Sequence, residues 1–204
     1  MLSRAAARRQ RAAKITAVDV VPDYLAKFCP GDNVVPVVAN AENLPFEAEF
    51  DLITSTDVVE HVLNISALLY SLNKALKPGG RLAIRVPYRE DLLKYAPQTG
   101  YPYDLVHLRT FDRSSLRDLL AEAGFRVSQS YFDGFNFQYP ARHVMSVFNA
   151  FGILSGKQKR KLWKRLYSML PPESIPWRFR RAVYRPIEII MVARKVATVP
   201  LPSP

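Results

Sequence analysis

The sequence predicts an α/β fold built on a mostly parallel sheet, and three observations carry that prediction. The stretch 50–87 reads as strand, helix and strand within about 40 residues, the span of a βαβ unit whose crossover is right-handed and parallel. Two short runs rich in valine, isoleucine or threonine, 14–19 and 34–38, precede it, each closed by turn residues. A helical pattern over 113–123 and two more strand-like runs, 125–131 and 186–196, follow it.

Residues 1–13, MLSRAAARRQRAA, read as a helix. They are basic, free of acids and contain a serine, which also suits a mitochondrial targeting peptide. The strand KITAVD follows at 14–19 with no spacer, so the helix is read as part of the domain. That strand ends in Asp19. An acid at a strand tip of a nucleotide-binding α/β domain accepts hydrogen bonds from ribose, because one carboxylate offers lone pairs to two neighbouring hydroxyls. The other role open to Asp19 is to cap the helix that begins Pro22-Asp23-Tyr24. The strand at 34–38 runs into Asn40 and Ala41. The Asn40 amide and the Ala41 N–H suit the edge of a base, with an ordinary polar loop as the alternative.

A strand at 50–54 comes next, then a polar turn, Ser55-Thr56-Asp57. Ile65, Leu68, Leu69, Leu72 and Leu76 recur on one face of a helix, and Lys77-Pro78-Gly79-Gly80 ends it before the strand at 81–86. Ligands of such sheets collect at the carboxyl ends of strands, which here carry Ser55, Thr56, Asp57, Glu60, His61, Pro87 and Tyr88. Residues 88–103 hold four tyrosines with Pro97, Gly100 and Pro102, the composition of a long loop or lid. Asp112 is placed to cap a helix that buries Leu116, Leu119, Leu120 and Ala123, and Gly124 stops it.

The aromatic residues of 132–154 form a small core or the wall of an apolar pocket. Residues 157–170 form a basic amphipathic helix, whose stripe of Leu162, Trp163, Leu166, Tyr167 and Leu170 packs on the domain or lies on an anionic membrane. The organisation read from these signals is a core over 1–131, an aromatic and basic helical insertion over 132–185, a closing strand over 186–196 and a proline-containing tail over 197–204.

Charge narrows the partners. Residues 15–154 hold 12 basic and 16 acidic groups, a net of −4, whereas 155–204 hold 12 basic and two acidic groups, a net of +10. The basic charge therefore lies away from the strand tips, which argues against a nucleic-acid substrate and for an anionic membrane surface beside 157–170. Cys29 is the only cysteine, so an intramolecular disulfide and a cysteine metal cluster are both excluded. The motifs assign no metal site. No run approaches 18 apolar residues, and the localisation read is cytoplasmic, with peripheral membrane contact.

Several motifs in order extend this reading: VDV around Asp19, ANAENLPF at 39–46, FDLI at 50–53 followed by DVVEHV at 57–62, LKPGG at 76–80, and HLRTFD at 107–112 before AGF. Together they resemble the class I S-adenosylmethionine-dependent methyltransferases of small molecules, the type that includes quinone-biosynthesis enzymes. The resemblance covers 15–131, with the last strand returning near Ile187. It implies a Rossmann-like, doubly wound sheet with an antiparallel closing strand, and S-adenosyl-L-methionine as cofactor. It further implies that Asp19 holds the ribose diol, that Val20 flanks the adenine, that Asn40 and Ala41 take the adenine edge, and that Ser55 and Thr56 line the methionine end. His61 falls near the methyl group and His107 on the acceptor side. The family's first strand and glycine-rich turn have no counterpart, since no G-x-G precedes residue 79, so a sheet lacking its first strand is expected.

The expected reaction is methyl transfer to a hydroxyl or carbon of a small-molecule or lipid-like acceptor, with His61 or His107 as the base that takes the acceptor's proton. A structural hydrogen bond is the alternative for each histidine. Two other function classes stand beside it: a non-catalytic remnant or partner-binding module, and a dinucleotide-dependent oxidoreductase, against which LPF and LKPGG argue by their spacing.

Overall fold

The computed structural model describes residues 14–27, 33–90, 107–137, 158, 161, 165, 168–169, 171, 174–176 and 184–199, with the backbone alone at 135–137. In chain order the elements are β1 (Ile15–Asp19), α1 (Pro22–Leu25), β2 (Val34–Val38), a 3-10 turn (Ala41–Asn43), β3 (Phe50–Thr56), α2 (Ile65–Ala75), β4 (Leu76–Pro87), α3 (Arg113–Glu122), β5 (Phe125–Phe137) and β6 (Tyr184–Lys195). The described strands form two sheets. β1 and β2 pair in parallel, and the second sheet has the order β3-β4-β6-β5. β3 and β4 are parallel, and β6 runs antiparallel to both of its neighbours. The expected α/β architecture with an antiparallel closing strand is what forms. β1 and β3 each pair with one strand only and stand at the edges of their sheets.

α2 is the helix that the leucine spacing predicts, and its ends are satisfied by particular groups. Asn64 Oδ1 accepts from Ala67 N at 3.0 Å, closing the first turn. Leu68, Leu69, Leu72 and Ala75 are buried against β4 and β6 through Leu82, Ile84, Val86, Ile189 and Met191. A fully buried leucine contributes about 1.5–3 kcal/mol, so this face is the main stabiliser of the crossover. At the carboxyl end the orphan carbonyls find partners outside the helix. Ala48 N and Glu49 N donate to Lys74 O and Ala75 O, each at 2.9 Å. The buried Lys195 ammonium donates to Asn73 O at 2.6 Å and Leu76 O at 2.9 Å. Burial holds the Lys195 pKa below its ordinary value.

Several element boundaries differ from the sequence reading, and three of them bear on the strand tips and the closing strand. LKPGG was expected as a stop between helix and strand, but β4 begins at Leu76, which is already extended and pairs with Phe50 before a register shift. The turn survives inside that irregularity, with Gly79 at φ +75°. β3 runs to Thr56, so Ser55 and Thr56 are its last residues and not a turn beyond it. β5 continues past 131 to Phe137, in register with β6 as far as Tyr184. α3 behaves as expected: Asp112 caps it, Leu116 and Leu120 are buried, and Gly124 follows at φ +79°. A Cβ at Gly124 would lie 2.6 Å from Ala197 O, so the position also needs glycine for space.

The helix read at 1–13, all of the 88–103 loop or lid beyond residue 90, and most of 138–183, including the apolar stripe of 157–170, lie outside the described residues. Lys161, Arg165 and Met169 of that stretch are described and are exposed. No helix among the described residues is long and apolar enough to cross a membrane.

Candidate functional site

Hydrogen bonds tie the tips of β1 and β2 together and tie the turn after β2 to the turn beyond β3, and Asp19 and Asn40 take part in them. Ala39 N donates to Asp19 O at 3.1 Å, which sets the tips of β1 and β2 side by side. Asp19 Oδ1 accepts from Val21 N at 2.9 Å. That bond shapes the turn into α1; the residue at the N-cap is Val21, so Asp19 is not the helix cap that was its alternative role. Val20 is 67% exposed beside it, open to a flat ring. Asn40 Oδ1 accepts from Glu42 N at 2.9 Å and caps the 3-10 turn. The amide oxygen expected to meet the adenine is therefore already engaged once, with one lone pair remaining. Ala41 is the first residue of that turn, where a helical N–H has no partner inside the turn.

Glu42 links these strand-tip residues to the turn beyond β3. Its Oε1 accepts from Leu63 N at 2.9 Å and Asn64 N at 3.1 Å, two and three residues beyond His61. Ser55 is buried and Thr56 half-buried at the end of β3. Asp57 follows at φ +54°, a conformation that aspartate tolerates better than most residues. It forms a close ion pair with Arg85, which also meets Glu188 at 3.4 Å. Burial opposes the Arg85 charge, but Asp57 and Glu188 outweigh it and hold the guanidinium above its usual value.

The turn after Asp57 carries a cluster of titratable side chains that His107 joins. His61 and His107 come together with ring centroids 4.7 Å apart at 74°, as an edge-to-face pair. Leu108 N donates to Glu60 O at 2.8 Å, so backbone pins the segment that carries His107 to the Glu60 turn. The Arg109 guanidinium donates to Val59 O at 3.2 Å, Val62 O at 2.6 Å and Leu63 O at 3.1 Å. His107 Nδ1 is in close contact with Glu90 Oε2, both side chains being only 14% exposed. An ionised carboxylate only accepts, so this contact orients the imidazole with Nδ1 toward Glu90 and Nε2 on its other side.

Glu60 is the least expected member. It is 1% exposed, and neither carboxylate oxygen has a hydrogen-bond partner among the described residues. Burial pushes its carboxyl above the ordinary range, and Asp57 adds to the rise. Glu60, His61 and His107 each offer one ligand atom, and these atoms lie within 4.8 Å of one another. Sequence reasoning named both histidines but not Glu90 or Arg109, and left Glu60 without a role. The EH pair at 60–61 was the available signal: adjacent residues in a tight turn can aim one side chain inward and leave the other at the surface.

Residues 2–130 match the methyltransferase-domain family. The chain belongs to that family, the class I S-adenosylmethionine-dependent methyltransferases. Among curated relatives, the ubiquinone/menaquinone biosynthesis C-methyltransferases UbiE of Shewanella sp. (strain W3-18-1) and Shewanella baltica (strain OS155) are each 33% identical over 116 residues, covering 46% of this chain and 46% of theirs. The chain thus spans about half the length of the curated relatives it matches. Solved structures share the fold. The Burkholderia thailandensis 1,6-didemethyltoxoflavin-N1-methyltransferase, bound to its acceptor and S-adenosylhomocysteine, superposes with a TM-score of 0.55 at 19% identity, covering 95% of this chain and 66% of that one. A Haloferax volcanii putative methyltransferase in complex with the Trm112 activator gives a TM-score of 0.60 at 16% identity, covering 96% and 79%. The methyltransferase family that the sequence motifs resemble is the family to which the chain belongs.

Proposed function

We propose that this chain binds S-adenosyl-L-methionine at the tips of β1 to β3 and directs methyl transfer to a small-molecule acceptor held at the Glu60–His61–Glu90–His107 cluster. The observation that carries the reading is the single hydrogen-bonded chain from Asp19 through Asn40 and Glu42 to the turn bearing His61. These bonds support a reading in which groups at the tips of β1 and β2 and groups on the turn beyond β3 serve one site. In this reading Asp19 holds the ribose hydroxyls, Val20 covers one face of the adenine, Asn40 and the Ala41 N–H meet its edge, and Ser55 and Thr56 line the amino-acid end. The bound cofactor supplies an electrophilic methyl on a sulfonium.

The protein's own contribution is alignment of the acceptor and removal of its proton. His107, oriented through Nδ1 by Glu90, and His61, stacked edge-on against it, are the groups placed to handle that proton. Relatives and neighbours named as C- and N-methyltransferases share the requirement that the accepting atom lose a proton, whichever element it is. The acceptor class that fits is a small molecule with an acidic hydroxyl or activated ring carbon.

Titration of the full chain with S-adenosylhomocysteine by calorimetry tests this. Binding is expected, with Asp19→Ala weakening it about tenfold, the equivalent of one charge-assisted hydrogen bond. Absence of binding at millimolar ligand would instead favour the second reading, a non-catalytic module that keeps the scaffold. One observation supports that second reading: β1 and β3 are both sheet edges, so the two sheets are not joined by strand pairing among the described residues.

A further inference from the structure

We propose that Glu60, His61 and His107 form a binding site for a divalent first-row transition metal ion, with Glu90 as the outer partner that orients His107. The motifs assigned no metal to this chain, and the geometry points the other way. The three ligand atoms lie within 4.8 Å of one another. Ligands about 2.0–2.2 Å from a common ion are about 3–4 Å apart, so the widest pair must close by roughly an ångström, which a small side-chain rotation provides. The second observation is independent of that proximity. Glu60 is 1% exposed, and both its carboxylate oxygens lack a hydrogen-bond partner among the described residues. A buried carboxylate without partners is costly unless it is neutral or faces a cation. Here it sits against two imidazoles, which are ligands when neutral.

The arrangement around His107 has the form found behind metal-bound histidines. Glu90 holds Nδ1, which orients the ring and turns Nε2 to the other side as the nitrogen to coordinate an ion. Arg109, on the carbonyls of Val59, Val62 and Leu63, and Leu108 N, on Glu60 O, hold the two ligand-bearing segments at fixed separation. Asp57 lies next to this turn but is held by Arg85, so it is not counted as a ligand. Two imidazoles and one carboxylate suit Zn2+, Fe2+ or Co2+, whereas Mg2+ and Ca2+ prefer oxygen. Three protein ligands leave open positions for water or for an acceptor oxygen, whose pKa the ion would lower. That chemical role rests on the methyl-transfer reading; the binding does not. With an ion in place the histidines act on the acceptor's proton through the metal and not as free bases.

The test is a Co2+ titration of the tag-free full chain, followed by visible absorption, with no cofactor or acceptor present. One ion per chain is expected, with the intense ligand-field band of a low-coordinate site, displaced by Zn2+. Glu90→Gln should weaken binding about 10–100-fold, the usual effect of removing an outer-shell partner, and Glu60→Gln, His61→Ala and His107→Ala by more than that. Far-UV circular dichroism of each metal-free variant checks that it folds, and the near-isosteric Glu60→Gln decides the matter if an alanine variant does not. No Co2+ uptake at millimolar metal, or uptake that Glu60→Gln leaves unchanged, overturns the site. Either result leaves the S-adenosylhomocysteine titration untouched, so the two readings fail separately.

Discussion

Arg109 sends one guanidinium to the carbonyls of Val59, Val62 and Leu63, and so sets the shape of the turn that carries Glu60 and His61. Only arginine has a rigid fork that reaches three acceptors at once; a lysine ammonium on its flexible stem satisfies fewer of them. Arg109→Met should cost roughly 1.5–3 kcal/mol, the range for hydrogen bonds to a charged group. Arg109→Lys should recover less than half of that in urea unfolding, and full recovery by lysine would show that charge and not the fork matters. The residue was not legible as structural in the sequence, where HLRTFD drew attention to its histidine. The positions of Asp19 at a strand tip and of His61 in the turn after β3 were legible, because a strand-tip acid and the EH turn have local signatures. Glu90 and the orphaned Glu60 were not, since what distinguishes them is who approaches them from 17 and 47 residues away along the chain, His107 in both cases.

At the scale of elements, α3 depends on its first turn. Asp112 Oδ1 accepts from Ser114 N at 3.0 Å and Ser115 N at 2.9 Å, and Ser115 Oγ in turn accepts from Asp112 N at 3.1 Å. The Ser115 N–H, then the Ser114 hydroxyl, hold the Asp112 carboxyl well below the usual carboxylate range. A native pKa below the unfolded value of about 4 means that this contribution is complete above pH 4 and is lost as pH falls through and below it. Asparagine also caps a helix but does not titrate there. The urea midpoint of the unaltered protein should therefore fall more steeply between neutral and acid pH than that of Asp112→Asn, and parallel curves would remove the charge from the account. This helix was readable because cap, stripe and glycine stop are all local. The start of β4 at Leu76 and the reach of β5 to Phe137 were not, because each is set by a partner strand distant in sequence, Phe50 on β3 and Tyr184 on β6.

At the scale of the molecule, the two sheets differ in what supports them. Among the described residues, the sheet β3-β4-β6-β5 lies on a core of 17 buried residues that includes α2 and α3, whereas β1 and β2 bury only Ala17, Leu25 and Val34 between them and reach the larger core through the partly buried Val18 and Ala39. A parallel pair of strands with so little apolar burial is marginal by itself. Val35, Val38 and Leu52 stand exposed on β2 and β3, where a larger core would cover them. Local opening of β1 and β2 should therefore require less free energy than opening of the larger sheet. In native-state hydrogen exchange, the paired amides of β1 and β2 should exchange roughly tenfold or more faster than those of Leu82, Ile84 and Val86 on β4, relative to their intrinsic rates. Because Asp19, Asn40 and Ala41 hang from these strands, S-adenosylhomocysteine should slow exchange in β1 and β2 selectively and leave β5 unchanged. Equal protection in both sheets without ligand would mean that β1 and β2 are held by more than the contacts described above. Measured binding with no slowing at β1 and β2 would move the nucleoside site away from Asp19 and Asn40, and with it the reading of the strand tips as one continuous surface.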